Sequence, residues 1–429
     1  MMKHKFSLPA AMAVLTAFAP SCASRKATTG QNADDGVVVR QPDLKQTDRA
    51  FGVDAEDTPL LRVAKANNEM AFRLFSQMKG FDSKVMSPMS ITYLMGMLAN
   101  GADGQTRSEI IEALQCSGLS TEQINRACQA LMQQAAEDST DVMNVANYVA
   151  VNHTFSLRPT FVNTLRQHYG AEVEALDFKQ SSTLQRINGW CSQHTDGMIP
   201  KFLDEVDGSA VSYVLNAIYF NGTWADKFTK MSTRKEAFRG YTRDRKMADM
   251  MHQESKFDYF SNDTYAAVTL PYSSYNYGMT VLLPNEGKSI DEMMQQLTPE
   301  EVTEKMPQQM ERCMVDLKLP RFTTATDISL NELVMKLGAK RMFSPSKADF
   351  SQLADGPFCV AKMLQKAKIE VSEEGTRAAA VTGAMVATTS LQPQPRRVAF
   401  HANRPFVYLI TDLRTGAILF MGQFTGDGL

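Results

Sequence analysis

The side chains that most often act as bases, nucleophiles or metal ligands are spread singly through this 429-residue chain. Its six histidines stand far apart, so no two of them form a local ligand pair. The sequence also lacks Gly-x-Ser-x-Gly, His-Glu-x-x-His, the phosphate-binding glycine loop and the dinucleotide fingerprint. We therefore expect neither an enzyme nor a metal or cofactor site.

The most unusual stretch is residues 373–390, where an acidic pair and a glycine precede a run of small side chains. Before it, residues 368–372 alternate polar and apolar side chains as a half-buried strand does. From Thr376 onward, every second residue is small or β-branched and uncharged, so this face would fit between two strands. Pro393 and Pro395 end the pattern, because proline lacks the N–H that a central strand donates. Taken alone, the alanine run also fits a loop or a short helix.

This stretch resembles the reactive-centre loop of the inhibitory serpins, which begins with an acidic pair, Gly, Thr and an alanine run. Asn403-Arg404-Pro405-Phe406 is similar to their C-terminal signature, and similar blocks recur over residues 57–429. The resemblance implies one α+β domain over that range with the serpin fold: helices packed on a large central mixed β-sheet, smaller β-sheets, and an exposed mobile reactive-centre loop at about 373–397. The hinge residues of this loop are Glu373, Glu374, Gly375, Thr376, Arg377, Ala378, Ala379 and Ala380.

The resemblance also implies a function, the inhibition of serine-type endopeptidases as a suicide substrate. The protease would attack a loop carbonyl, and insertion of the loop into the central sheet would trap the protease as a covalent acyl complex. The small-residue run is roughly 45 Å long when extended, enough for a long strand. A non-inhibitory serpin that acts as a binding or storage protein is the alternative, although such members typically break the small-residue hinge.

The family's numbering of the loop predicts the position of the scissile bond. Counting Glu373 as the first of seventeen residues places this bond at Thr389–Ser390, with Thr388 as the alternative. The residues around it are small, which favours elastase-like serine proteases, with cysteine proteases as further targets. Arg396 and Arg397 would suit a trypsin-like enzyme, but they lie too far from the hinge to leave the right insertion length.

Other blocks resemble the part of the serpin sheet that must open. The resemblance places Ser87 and Ser90 beneath the central sheet, Asn216 at its opening point and Trp224 at the top of the same strand. Helix capping by the serines and a core position for the tryptophan are the alternatives. Serpins usually have a histidine where this chain has Gln365. An amide can bridge the two serines and Asn216 but takes up no charge near neutral pH, so opening should not respond to pH through this residue.

The small net charge of the chain gives no reason to expect partners that bind mainly through opposite charge. A formal net charge of −2 gives no reason to expect nucleic-acid binding. Residues 121–144 cover the region where heparin-activated serpins carry a basic cluster, and they contain one basic residue, Arg126, so we expect no heparin site. We expect a monomer whose partners are proteases.

The N-terminus predicts export. Residues 1–21 combine Lys3 and Lys5 with an apolar run, as a signal peptide does, and the polar residues 22–56 read as a lipid-anchored or flexible tether. Cys22 follows small residues and resembles the lipid-modified cysteine of bacterial lipoproteins, although Ala19-Pro20-Ser21 departs from the usual motif. A plain signal peptide is the alternative. We expect an extracellular or cell-envelope lipoprotein of a bacterium that touches the membrane only through this anchor.

The remaining cysteines predict no disulfide framework. Their number is odd and their spacing is wide, so buried free thiols are the better explanation. They are Cys116, Cys128, Cys191, Cys313 and Cys359.

Overall fold

The computed structural model describes residues 57–78, 80–136, 142–242, 244–376 and 395–429. All of these belong to one compact unit. The boundaries expected for the signal peptide and the tether lie outside the described residues and stay predictions. No helix within the described ranges is both long and apolar enough to cross a bilayer.

The first helices begin where the sequence offers caps. Thr58 accepts a hydrogen bond from the Leu61 N–H, with Pro59 in the first helical position, and Ser87 caps the next helix in the same way. In the described part of the chain the α-helices are α1 Pro59–Phe75, α2 Pro88–Gly101, α3 Gly104–Ala113, α4 Thr121–Ala136, α5 Pro159–Tyr169, α6 Ser181–His194, α7 Ile290–Met294, α8 Met306–Gln309 and α9 Asn331–Leu337.

The strands of the described residues form two sheets. They are β1 Lys84–Met86, β2 Val142–Asn152, β3 Glu172–Leu176, β4 Ser212–Thr223, β5 Arg234–Arg239, β6 Arg245–Ser261, β7 Tyr265–Pro271, β8 Tyr277–Pro284, β9 Glu311–Pro320, β10 Phe322–Ser329, β11 Lys362–Ser372, β12 Gly375–Thr376, β13 Arg397–His401, β14 Phe406–Asp412 and β15 Ile418–Phe424.

The central sheet is mixed and has the order β10-β11-β12-β4-β2-β3. Strand β4 is buried along almost its whole length, as its near-continuous apolar run predicts for a strand covered on both faces. Strand β11 alternates buried and half-buried residues up to Ser372, so the strand expected before the acidic pair is confirmed.

The smaller sheets expected beside the central one are joined into a single sheet of nine strands, in the order β1-β15-β14-β8-β7-β6-β9-β13 with β5 on β6. The reason is the length of β6, which spans 17 residues. It pairs with β5 near one end, with β9 along its middle and with β7 at the other end.

Two layers of helix cover the central sheet. Helix α2 is buried at every position except Asn100 and runs through the main core. On a separate core, Ile187 and Trp190 of α6 pack against Tyr148 and Leu215 of the sheet. The strands between which the predicted loop would enter are therefore packed against helices on both faces.

Candidate functional site

The start of the predicted loop lies between two strands of the central sheet. Thr376 pairs with Val371 of β11 on one side and with Gly222 of β4 on the other, antiparallel in both cases. Below this point β11 pairs directly with β4, in parallel register from Lys362–Ala367 to Tyr213–Ile218. The sheet is thus parted by one strand at one end and closed along the rest of this seam.

The inserted residues fit closely. The Thr376 side chain is 1% exposed, and its Oγ1 lies 2.7 Å from the Tyr272 hydroxyl. Gly375 has a φ of +148°, and a Cβ at this position would lie 2.0 Å from the Gly222 carbonyl oxygen. Only glycine can turn the chain into the seam here without displacing β4.

Trp224 supports the hinge from the top of β4. Its indole N–H donates to the Ser372 carbonyl at 2.9 Å, and its backbone N–H donates to the Glu374 carbonyl at 3.0 Å. Its ring stacks on Tyr272 with centroids 4.6 Å apart. The two roles considered for this tryptophan therefore coexist, because it is buried and also binds the hinge backbone.

The acidic pair is anchored by charge. The Glu373 side chain is 3% exposed and accepts hydrogen bonds from Arg321 at 2.6 Å and from the Thr233 hydroxyl at 2.7 Å. Burial raises the pKa of Glu373, but the bonds from Arg321 and Thr233 outweigh it and leave the pKa below its ordinary value. The next carboxylate, Glu374, lies 3.1 Å from Lys227, and that bond lowers its pKa. Both carboxylates are held ionised.

The four other residues predicted at the opening point are fully buried and meet at the closed part of the seam. The Gln365 amide donates to the Ser87 carbonyl at 2.8 Å and accepts from the Ser87 N–H at 3.1 Å. Separately, the Ser90 hydroxyl donates to the Asn216 side chain, which donates to Asn147 at 2.7 Å. Gln365 does not bridge the serines and Asn216 as expected, because both of its amide bonds go to the Ser87 backbone and Ser90 reaches Asn216 directly.

Asn147 of β2 was missed in the sequence. The signal was available, since β2 reads Val-Met-Asn-Val-Ala-Asn-Tyr-Val and an asparagine inside an apolar strand needs a buried partner. Its Nδ2 donates to the Tyr169 carbonyl at 2.9 Å, so the opening point is tied to the end of α5 as well.

Several predicted residues lie outside the described residues and stay predictions. They are Cys22, the hinge residues Arg377, Ala378, Ala379 and Ala380, and the reactive-bond residues Thr388, Thr389 and Ser390.

Where the description of the chain resumes, Arg396 lies 3.1 Å from Glu311 and Arg397 lies 2.5 Å from Glu254. Both arginines are engaged in exposed ion pairs, and Arg397 is the first residue of β13. The chain after the loop joins the nine-stranded sheet through β13, which pairs with β9.

The prediction of free thiols is confirmed for the described cysteines, all five of which are buried and unpaired. Burial raises the pKa of Cys116 to about 11, and it also raises the pKa of Cys359. These thiols are protonated and act as small apolar side chains. No group of three or more His, Cys, Asp or Glu among the described residues is arranged to hold a metal ion.

Comparison with known proteins covers most of the chain. The family model for the serpins, serine protease inhibitors, matches residues 65–426. Leukocyte elastase inhibitor of Homo sapiens is 31% identical over 380 residues, which cover 85% of this chain and 99% of the relative. Iripin-2 of Ixodes ricinus is 32% identical over 372 residues, 84% of this chain and 93% of the relative.

Among solved structures, the native state of Tengpin, a thermophilic serpin, matches with a TM-score of 0.78 at 27% identity. The match covers 87% of this chain and 95% of that one. The inserted hinge, the two sheets and these relatives agree, and the chain belongs to the serpin family of serine protease inhibitors.

Proposed function

We propose that this serpin inhibits serine proteases as a suicide substrate, by trapping a covalent acyl complex through insertion of its loop between β11 and β4. The observation that carries the proposal is β12, which already occupies the first two positions of a strand in this seam. A longer inserted strand would satisfy its own backbone groups on both sides and bury its small side chains, which supplies the driving force.

The proposed reaction uses only the protease serine and the loop, and it needs no cofactor. The protease serine attacks the carbonyl carbon of Thr389, and the Ser390 nitrogen leaves as an amine, which gives an acyl-enzyme. The freed loop then enters below Thr376, where direct pairing between Lys362–Ala367 and Tyr213–Ile218 must give way. If insertion is faster than deacylation, the protease stays attached.

We propose elastase-like enzymes as the targets. The small residues around Thr389 suit a shallow specificity pocket. The name of the human relative, leukocyte elastase inhibitor, points to the same class.

The test is a single mixture of the protein with elastase, followed by a denaturing gel. We expect an adduct that survives SDS and a released peptide whose sequence begins at Ser390. Thr389→Arg should add inhibition of trypsin-like enzymes and weaken inhibition of elastase, because pocket fit sets the acylation rate. If the target preference stays unchanged, the scissile bond follows a neighbouring residue instead, and Thr388 is the first to test. Cleavage without any adduct would favour the binding or storage alternative.

We also propose that the protein is exported and held by a lipid on Cys22. The signal-like residues 1–21 and the polar segment after them support this. Cys22→Ser should release the protein from the membrane fraction and leave inhibition intact. A wild-type protein that is already soluble after cell lysis would refute the anchor.

A further inference from the structure

Two arginines of the hairpin formed by β5 and β6 contact no carboxylate among the described residues. Arg239 and Arg245 are exposed and lie directly opposite each other in the antiparallel register of the two strands. Like charges in this position destabilise a strand pair. Among the described residues, no ion pair or side-chain hydrogen bond engages either guanidinium. A lysine of the same hairpin is different, because Lys235 lies 3.0 Å from Asp249.

A third arginine reaches the same place from the segment after β13. Arg404 is half-buried, and it donates from Nε to the Pro284 carbonyl at 2.9 Å and from Nη1 to the Asn403 side chain at 3.1 Å. These partners are neutral, so its charge has no carboxylate in contact among the described residues. The Arg239 N–H donates to the Asn403 carbonyl at 2.9 Å, which joins the two segments.

The arginines repel one another. Burial lowers the pKa of Arg404, the charge of Glu286 acts against this, and the charge of Arg239 lowers the pKa further. A bound anion would stabilise positive groups that lie close together and have no carboxylate in contact.

A cavity of about 300 Å³ lies at this point, and Arg239, Arg404 and Lys288 are among the residues that line it. One carboxylate, Glu292, is also in the lining. That carboxylate is already engaged, because it accepts from the Ser289 N–H at 2.8 Å and from the Ser289 hydroxyl at 3.1 Å. Glu292 also lies 3.9 Å from Lys288, so Arg239 and Arg404 are the cations of this lining that contact no carboxylate among the described residues.

We propose that this cavity binds a tetrahedral oxyanion, a phosphate or sulfate group, with Arg239 and Arg404 of its lining as the ligands and Arg245, opposite Arg239, as a neighbouring positive charge. The planar guanidinium offers paired N–H donors that match two oxygens of such a group, and an anion between the arginines would replace repulsion by attraction. The group can be a free ion or can be carried on a saccharide. This site is separate from the hinge and does not depend on the proposed inhibitory function.

The experiment uses the full folded chain near neutral pH, with sodium phosphate, sodium sulfate and sodium chloride at equal ionic strength. Calorimetric titration and thermal unfolding are the readouts, and neither needs a protease. We expect phosphate and sulfate to bind and to raise the unfolding temperature above its value in chloride. The double variant Arg239→Gln/Arg245→Gln should lose affinity about tenfold or more, because one charge-assisted contact and the positive charge opposite it are removed.

The matched control is Arg234→Gln. Arg234 is an exposed arginine on the same strand, and it bonds only backbone carbonyls, those of Met231 and Thr233. This variant should bind phosphate as the wild type does. Equal stabilisation by phosphate and chloride would overturn the proposal, and so would an equal loss of affinity in Arg234→Gln, which would show a general charge effect.

A single variant tests the repulsion between the two arginines directly, and it also provides a test if the double variant does not fold. Arg245→Gln should unfold at a higher temperature than the wild type in chloride, yet gain less from phosphate. A lower unfolding temperature in chloride would contradict the repulsion on which the site rests. A sulfated disaccharide that binds more tightly than inorganic sulfate would identify the carried group as the ligand, and weaker binding would identify the free ion.

Discussion

The two ends of the β4–β11 seam are held by different chemistry. At the parted end, charged groups fix the hinge, with Glu373 bound to Arg321 at 2.6 Å. At the closed part, the contacts are neutral and fully buried, with Gln365 on the Ser87 backbone and Ser90 on Asn216. The Arg321 side chain is 48% exposed, so water reaches one partner of the charged contact and none of the neutral ones.

The difference follows from the cost of burying charge. An ionised group can be used where one partner keeps contact with water, whereas an unpaired ion in the interior of the sheet would cost several kcal/mol. Neutral amide and hydroxyl bonds can be exchanged for others of similar strength when a new strand enters. In the proposed mechanism, the charged end would fix where insertion begins, and the neutral part would open without leaving an ion unpaired.

The largest expected effect comes from Thr376→Arg, which breaks the parted end. Thr376 is already inside the sheet beside Tyr272, so the variant would bury a guanidinium with no carboxylate partner among the described neighbours, at a cost of about 3–5 kcal/mol. We expect β12 to leave the seam, the loop to be cleaved at the same bond, and little covalent adduct to form.

The readouts for this variant are the adduct yield on a denaturing gel and the heat resistance of the cleaved protein. Thr376→Ser is the control, since it keeps the hydroxyl that meets Tyr272 and should keep adduct formation. Full adduct yield in Thr376→Arg would rule out insertion for this chain. Absence of any gain in heat resistance when the wild type is cleaved would favour a non-inhibitory serpin.

A smaller effect is expected from Glu373→Gln, which removes the charge at the parted end but keeps its shape. Because Arg321 is about half exposed, the loss should be about 1 kcal/mol. Hydrogen exchange at Gly375 and Thr376 should accelerate about fivefold. Asp249→Asn is the control, because Asp249 contacts Arg321 at 3.8 Å without touching the hinge.

The same carboxylate predicts how the hinge responds to pH. The pKa of Glu373 is lowered in the folded protein, so its stabilising contribution is present above the unfolded value of about 4.3 and is lost as the pH falls through the folded value. Hinge exchange should be independent of Glu373 ionisation between about pH 5 and 8. If a change in hinge exchange above pH 5 were seen in the wild type and were absent in Glu373→Gln, the lowered pKa of Glu373 would be contradicted.

Local patterns predicted the elements of this site well and its contacts less well. The alternation in β11, the apolar run of β4 and the cap at Ser87 each depend on neighbouring residues, and all three are present in the structure. The Ser87–Gln365 contact joins residues 278 positions apart, so no local pattern contains it. The resemblance placed Gly375 in the hinge, but the reason it must be glycine is the approach of Gly222.

The smallest effect near pH 8 should come from Gln365→His, which gives the closed part of the seam a group that can be charged at lower pH. A neutral imidazole can donate with one nitrogen and accept with the other, and so can replace the two amide bonds to the Ser87 backbone. An imidazolium cannot accept, which would leave the Ser87 N–H without a partner in a fully buried site at a cost of about 1–2 kcal/mol. The pKa of the introduced histidine should therefore lie below its unfolded value of about 6.5, and stability should fall as the pH drops below about 6.5.

We expect the urea midpoint of the variant to match the wild type near pH 8 and to fall below it near pH 5.5. Gln365→Met is the uncharged control, whose deficit should stay the same at both pH values. A deficit in Gln365→His that is equal at both pH values would mean that the neutral part of the seam tolerates charge, and the contrast between its two ends would then rest on shape alone.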